Sequence, residues 1–141
     1  MQRFFQEQVW EQLKVDAARD PRLRVAEDDE GIAAVYLHLQ WDSEHPNYQP
    51  PLGYGQRLVA FLGIAVRHRR QGGSLADEVL TDALYEALDA DDAPGGVSVW
   101  GKVHWRNEPC KSMLTRRGFE YASIMENQGP LEHWYLDVAR Q

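Results

Sequence analysis

The sequence predicts an α/β fold, a single domain over residues 1–141 in which helices flank a mixed β-sheet. Two observations predict it. Segments whose apolar residues recur at the 3.6-residue spacing of helices alternate with apolar segments of strand length. A basic, glycine-rich stretch over residues 67–73 leads from one apolar strand into a helix. The predicted order is helix, three strands, helix, strand, helix and two strands.

The first part of the chain predicts a helix, a hairpin and a long loop. Apolar residues at helical spacing favour an amphipathic helix over Phe4–Ala18. Strand-like segments Leu23–Glu27 and Ile32–Trp41 enclose an acidic, glycine-containing turn at residues 28–31, which is typical of a hairpin. Asp42–Gln56 is rich in proline and glycine, and its length predicts a substrate-facing loop.

The middle of the chain predicts the central strand of the sheet and the helix that follows. Arg57–Val66 is a nearly unbroken apolar run, the pattern of a strand buried on both faces. From Leu75 the apolar residues keep the helical period until Asp91, and Ser74 with Asp77 is a plausible capping box.

The last third predicts a strand, a short helix and two closing strands. Val97–Trp105 is strand-like. Pro109 suits the first position of a helix and Gly118 the position just after its end, so a helix is expected over Pro109–Arg117. Further strands are expected at about residues 119–124 and 131–138, around a turn near Gly129.

Composition limits the classes of partner. The chain carries 15 Lys and Arg against 22 Asp and Glu, a formal net charge of -7, which argues against a nucleic-acid partner and suits a cationic substrate. One cysteine excludes an internal disulfide, and no apolar segment has the length of a leader or a membrane span, so we expect a cytoplasmic protein without a membrane partner. The oligomeric state stays open, a homodimer included.

The basic loop is the most informative motif. Glycines allow backbone N–H groups to approach an anion, and the helix that begins near Ser74 adds the positive end of its dipole. The guanidinium groups of Arg67, Arg69 and Arg70 pair well with phosphates. We therefore expect a bound polyphosphate, although an ordinary strand-to-helix turn is the alternative for Gly72 and Gly73 alone.

Two segments resemble motifs of the GNAT superfamily of acyl-CoA-dependent N-acetyltransferases. The first is the loop, where Val66, Gln71, Ser74 and Ala76 stand at that family's spacing, with Ser74 in place of the usual glycine. The second is similar to the family's later motif, in which an asparagine opens a helix that Gly-Phe closes. Here these are Asn107 and the pair Gly118-Phe119.

The resemblance implies a mostly antiparallel sheet of six to seven strands, splayed between the strands that end near Val66 and Trp105. It also implies that acetyl-CoA is the acyl donor and that an amine is the acceptor, with transfer by direct attack. No histidine pair has metal-ligand spacing with cysteine or carboxylate support, so we expect no metal. The residues it assigns to the coenzyme lie along the loop and the later helix. They are Ile64, Ala65, Val66, Arg67, Arg69, Arg70, Gln71, Gly72, Gly73, Ser74, Leu75, Ala76, Asn107 and Cys110.

The resemblance leaves the acid and base open. The family's usual tyrosine acid corresponds to Leu114, and no carboxylate lies within Leu58–Val66, where a glutamate base is often found. The catalytic candidates are therefore Glu44, His45 and His104. Cys110 lies in the first turn of the predicted helix, a position that can lower a thiol pKa, but it aligns with a small residue of the family motif, so the resemblance favours packing against the coenzyme.

The sequence supports three function classes. The first is an N-acetyltransferase acting on a small cation or a protein. The second is an acyl-CoA-binding domain without activity, favoured by Leu114. The third, a nucleotide- or RNA-binding module, is the least supported, because the loop lacks the Gly-Lys-Ser/Thr ending of a P-loop.

Overall fold

A computed structural model describes residues 19–41, 45, 48–65, 74–124 and 129–141. Its elements follow the predicted order. They are β1 (Arg22–Asp28), β2 (Gly31–Gln40), β3 (Tyr54–Ile64), α1 (Ser74–Ala90), β4 (Gly96–His104), α2 (Glu108–Arg117), β5 (Glu120–Ile124) and β6 (Leu131–Ala139). The helix predicted over residues 4–18 and most of the segment between residues 42 and 47 lie outside the described residues.

The described strands form one six-stranded sheet in the order β1-β2-β3-β4-β6-β5. Neighbouring strands are antiparallel except for β3 and β4, which run parallel because α1 crosses between them. The mixed, mostly antiparallel sheet expected from the sequence is therefore confirmed. The described part of the sheet has six strands, and six to seven were expected.

Both described helices pack against the same face of the sheet, here called the helix face. Leu80, Leu84 and Ala87 of α1 and Met113 and Leu114 of α2 form one buried cluster with apolar side chains of β4. A smaller cluster joins α1 to β2 and β3. Burial of these apolar side chains is the main force that holds the helices on the sheet.

The opposite face carries a cluster of rings, here called the aromatic face. Its members are His45, Tyr48, Trp100, His133 and Tyr135. Trp100 lies at the centre, with ring centroids 5.1 Å from Tyr48 and 5.5 Å from both His45 and Tyr135. The rings bury Trp100 almost completely, and its indole N–H donates to Gln56 Oε1 at 2.9 Å.

Two polar side chains, those of Arg57 and His38, are buried on the helix face. The Arg57 guanidinium is buried, and its Nε donates to His38 Nδ1 at 2.8 Å. Its other nitrogens bond Asp20, at 2.7 Å to the backbone carbonyl and 3.3 Å to the carboxylate. The central strand also begins at Tyr54 rather than Arg57. Arg57 is thus an interior residue of β3 whose charge is neutralised by Asp20.

α2 ends as its sequence predicts. Gly118 has a left-handed backbone with φ of 98°, a conformation that glycine adopts without steric cost. Its N–H donates to Thr115 O at 3.1 Å, and the next N–H, of Phe119, donates to Leu114 O at 2.9 Å. The Gly-Phe pair therefore closes α2, and the Phe119 ring is buried in the core.

Candidate functional site

The two parallel strands separate at their C-terminal ends. The ladder between β3 and β4 runs from Tyr54 opposite Gly96 to Val59 opposite Gly101. Beyond that pair β3 continues to Ile64 beside β2, and β4 continues to His104 beside β6. The expected splay of the sheet is thus present, and we call the space between these two strand ends the opening.

An irregularity in β3 accompanies the separation. Leu37 of β2 lies opposite Phe61, but the next residue, His38, lies opposite Val59. Ala60 is therefore an extra residue in β3 without an opposite partner in β2. A bulge of this kind bends its strand and increases the local twist. Because Ala60 directly follows the last β3–β4 pair, the bulge explains why β3 turns away from β4 there.

The β3 backbone directs hydrogen-bonding groups toward the opening. Ala65 N–H donates to Ala33 O of β2 at 2.8 Å. Backbone N–H and C=O groups of successive strand residues point to alternate sides, and the register with β2 is regular from Phe61 to Ile64. The N–H of Leu62 therefore points away from β2, toward the side on which the β4 ladder has ended. This N–H is suited to hold a carbonyl oxygen that gains negative charge.

Gly101 leaves space at the opening. The alternation along β4 directs this position to the helix face, between the buried side chains of Val99 and Val103. A Cβ built on Gly101 meets no atom of the described residues within 4 Å. The helix face of the sheet is therefore not filled at the residue where β3 and β4 part.

Most of the predicted coenzyme loop lies outside the described residues. This applies to Val66, Arg67, Arg69, Arg70, Gln71, Gly72 and Gly73. The two flanking elements are described: β3 ends at Ile64, with Ala65 bonded to β2, and α1 begins at Ser74. Leu75, in the first turn of α1, packs in the same cluster as Ile64 and Leu62, so the start of α1 lies beside the end of β3.

Asn107 and Cys110 lie at the other side of the opening, just beyond the end of β4. Asn107 is the N-cap of α2, and its Oδ1 accepts the N–H of Cys110 at 3.2 Å. The Cys110 side chain packs against the helix-face core, and burial raises the pKa of its thiol. The pKa of the Cys110 thiol is thus raised by burial, not lowered as a place in the first turn of a helix would favour.

The structure separates the catalytic candidates. His45 lies on the aromatic face, where it stacks on Trp100, the residue before Gly101, and burial lowers its pKa. His104 is exposed at the end of β4, and its Nδ1 accepts the Arg106 N–H at 3.1 Å. Glu44 lies outside the described residues. Of the two described candidates, His45 lies beside Trp100 next to the last β3–β4 pair, and His104 lies at the end of β4.

His133 of β6 is a buried titratable group that is not among the catalytic candidates predicted from the sequence. It is 4% exposed and lies opposite Lys102 in the β4–β6 ladder, 5.7 Å from His45 between ring centroids. Its Nε2 is buried without a hydrogen-bond partner in the described structure. Burial, with help from the Lys102 and His45 charges, lowers the pKa of His133 to about 4. The imidazole is therefore neutral at pH 7.

A hydroxyl and carboxylate network lies beneath the same rings. Ser98 Oγ donates to Asp137 Oδ1 at 2.7 Å, and the Tyr48 hydroxyl also donates to that oxygen. Burial and the Asp137 hydrogen bond raise the pKa of Tyr48. The alternation of His133, Tyr135 and Asp137 along β6 is the sequence signal that places all three on one face.

The part of the chain that the structure describes contains neither a metal-binding cluster nor a membrane-spanning helix. Within residues 19–41, 45, 48–65, 74–124 and 129–141, no group of three His, Cys, Asp or Glu side chains is arranged to hold a metal ion. Neither described helix has the length and apolar character needed to cross a membrane.

Solved structures resemble this chain over most of its length. A protein assigned to the GNAT family of acetyltransferases, from Desulfovibrio desulfuricans, superposes with a TM-score of 0.65 at 17% identity, covering 94% of this chain and 77% of that one. The chain has the GNAT fold. A Bacillus subtilis acetyltransferase in complex with CoA gives a TM-score of 0.63 at 16% identity, over 94% of this chain and 83% of that one.

The GNAT fold is also shared with a eukaryotic structure. Arabidopsis thaliana NAA60, solved in complex with a bisubstrate analogue, gives a TM-score of 0.60 at 14% identity over 85% of this chain and 75% of that one. No protein-family sequence model matches the chain, and no curated protein matches it by sequence. At these identities the likeness is one of fold.

Proposed function

We propose that this protein is an N-acetyltransferase that moves an acetyl group from acetyl-CoA to a primary amine of a small cationic molecule or a protein. The observation that carries the proposal is the opening between β3 and β4, with its bulge at Ala60 and its unfilled space beside Gly101. A strand pair that parts in this way admits an extended chain such as pantetheine. The B. subtilis protein of this fold was solved with CoA, which supports the same ligand here.

The coenzyme would lie across the opening. Its pyrophosphate would be held by the backbone N–H groups of residues 71–76 and by the arginines of residues 67–70, because a helix N-terminus and guanidinium groups both favour phosphate. The pantetheine would pass Ile64 and Ala65 on the β3 side. Asn107 and Cys110 would flank it on the α2 side, since both lie just beyond the end of β4.

The chemistry follows from the groups around the opening. The neutral amine attacks the thioester carbonyl carbon, and the carbonyl oxygen gains negative charge that the Leu62 N–H stabilises. The C–N bond forms, the C–S bond breaks, and the CoA thiolate leaves. Holding amine and thioester in register supplies roughly 7–11 kcal/mol in well-oriented model reactions, which is more than one acid or base usually contributes.

His45 is the base that the geometry favours. Its lowered pKa keeps the imidazole neutral near pH 7, so it can accept the proton that the amine nitrogen loses as the C–N bond forms and pass it on to the thiolate. Its stacking on Trp100 fixes the ring beside the end of the β3–β4 ladder. His104 and Glu44 are the alternative bases.

An acyl-CoA-binding domain without transfer is the second candidate function. The observation that favours it is Leu114, which occupies the position where the family resemblance expects a tyrosine acid. Its side chain is 4% exposed within the helix-face core, so it contributes no proton donor. Both functions require coenzyme binding, and only the first requires turnover.

Calorimetry with acetyl-CoA, followed by an assay of thiol release with a panel of polyamines, aminoglycosides and peptides, tests the proposal. Saturable binding with amine-dependent thiol release is the expected result. Binding with no release for any amine would favour the second function. Absence of binding would overturn both. Free CoA serves as the control, since it shares every phosphate contact but carries no acetyl group to transfer.

A further inference from the structure

β1 is an exposed edge of the described sheet. One of its sides pairs with β2, and no described strand pairs with the other. All seven of its residues are exposed, and Leu23 and Val25 leave 37% and 48% of their surface to solvent. An edge with open backbone groups and exposed apolar side chains is a template for a further strand.

This edge has few features that would prevent pairing. Proteins protect edge strands with prolines, bulges and charged side chains, and four of the seven β1 residues are charged. Arg22–Asp28 contains no proline. The irregularity between β1 and β2 lies in β2, where Ala33 is the extra residue between the partners of Ala26 and Glu27. β1 itself is therefore a regular strand over its whole length.

The charges of β1 are complementary to those of a second β1. Arg22 and Arg24 lie in its first half, and Glu27 and Asp28 in its second half. An antiparallel copy centred on Val25 places Arg22 opposite Asp28 of that copy and Val25 opposite Val25. Like-charged residues are not opposed in this register, and opposite charges across a strand pair stabilise it.

The same register is compatible with the side chains around it. Residues opposite each other share a face, so the helix face of one copy continues into the helix face of the other. Arg24 bonds Glu86 of α1 at 3.3 Å and would lie opposite the small side chain of Ala26. Arg22 pairs with Asp20 at 3.3 Å, and Asp28 Oδ1 accepts the Glu30 N–H at 2.9 Å. An exposed ion pair is weak and can exchange, and a carboxylate accepts more than one hydrogen bond, so neither contact prevents an ion pair between Arg22 and Asp28 of the two copies.

We propose that β1 pairs with β1 of a second copy of this chain, antiparallel and centred on Val25, so that one sheet continues through a two-fold axis. The inference goes beyond the proposed function. The β1–β1 interface lies at the edge of the sheet, and β2 separates it from β3. It therefore leaves the opening between β3 and β4 accessible. An interface made of one strand pair buries little surface, so we expect the fraction of dimer to depend on protein concentration.

Symmetric cross-linking tests the register. In a Cys110→Ala background, Val25→Cys places the two thiols opposite each other, within the Cα separation that disulfides allow. Leu23→Cys is the matched control, because its two copies are offset by four residues, roughly 13 Å along the strands. Under mild oxidation we expect a covalent dimer with Val25→Cys and a monomer with Leu23→Cys. Equal cross-linking of both variants, or of neither, would overturn the proposal.

Charge reversal gives an independent test by sedimentation velocity on the full chain. In a homodimer of either variant, Arg22→Asp or Asp28→Arg, residues of like charge face each other at both of the symmetry-related 22–28 pairs. Each change alone should therefore weaken the dimer at least tenfold. Mixing the two variants restores both opposite-charge pairs, so a heterodimer should form with near wild-type affinity. A wild-type protein that stays monomeric at every concentration would contradict the proposal. So would a dimer indifferent to these changes, because its interface would then lie away from β1.

Discussion

Val59 and Gly101 are the last pair of residues that hold β3 and β4 together. On one side of this pair the strands form a regular parallel ladder, and on the other each strand keeps only its antiparallel neighbour. The bulge at Ala60 and the missing side chain at Gly101 coincide at this point. The local irregularity therefore creates the opening on which the proposed function depends.

Filling the space beside Gly101 should block the coenzyme. A Cβ at Gly101 meets no atom of the described residues within 4 Å, so the Cβ of Gly101→Leu fits without a clash and we expect the fold to be kept. We expect acetyl-CoA affinity to fall at least tenfold, about 1.4 kcal/mol, as measured by calorimetry. Gly101→Ala is the control and should retain most of the binding. Unchanged affinity in the leucine variant would show that the coenzyme does not pass this residue.

A negative charge in the basic loop should oppose the pyrophosphate. Gly73→Glu is expected to abolish detectable acetyl-CoA binding, whereas Gly73→Gln, of similar shape and without charge, should retain part of it. Because the effect is electrostatic, the difference between the two variants should shrink at high salt. If glutamate and glutamine weaken binding equally at every salt concentration, the loop does not hold the phosphates through charge.

Removing the proposed base should lower turnover and leave coenzyme affinity unchanged. We expect His45→Gln to reduce kcat by roughly 10²–10⁴-fold, the usual contribution of a general base. His104→Gln is the matched variant and should retain activity. A large loss in His104→Gln with little change in His45→Gln would reverse the assignment.

The pH profile should carry the signature of the same group. The active form of His45 is neutral, so kcat/KM of the wild-type enzyme should fall as the pH falls through the pKa of His45. Burial lowers this pKa, and the midpoint of the acidic limb is therefore expected below about 6.5. A midpoint above that value would contradict the assignment.

The buried histidines should make the fold sensitive to acid. Burial, with Arg57 nearby, lowers the pKa of His38 to about 4, and burial lowers that of His133 to about 4. The unfolded chain therefore binds more protons between pH 6.5 and 4, so the free energy of unfolding should fall over this window as the pH is lowered. Urea titrations across the window should show a shallower fall for His133→Phe than for the wild type.

A tyrosine at position 114 should destabilise the protein without supplying an acid. Leu114 is buried between the helices and the sheet, and a larger, polar ring there causes overpacking. We expect Leu114→Tyr to lower the free energy of unfolding by roughly 1–3 kcal/mol, and Leu114→Met to cost less. Higher turnover in the tyrosine variant would show that this position reaches the reacting atoms.

Much of the fold was predictable because its signals are local. The apolar runs of β3 and β4 and the period of α1 mark those elements. Asn107 with Pro109 marks the start of α2, and the pair Gly118-Phe119 marks its end. The start of β3 was missed because Arg57 reads as a polar boundary. Its burial depends on Asp20 and His38, which are distant in sequence.

The opening was expected from the resemblance, whereas its cause was not visible in the sequence. The bulge occurs at Ala60, an ordinary strand residue, and it becomes apparent only when β2 and β3 are set in register. The aromatic face is similar in this respect. His45 and His133 are far apart in the chain, and the sheet brings their rings to 5.7 Å.

The structure of the protein crystallised with acetyl-CoA is the most direct test of the central claim. We predict that the pantetheine lies between β3 and β4 beyond Val59 and Gly101, with the thioester oxygen within hydrogen-bond distance of the Leu62 N–H. Coenzyme bound elsewhere on the molecule, or the opening closed by β3–β4 hydrogen bonds in its presence, would contradict the account.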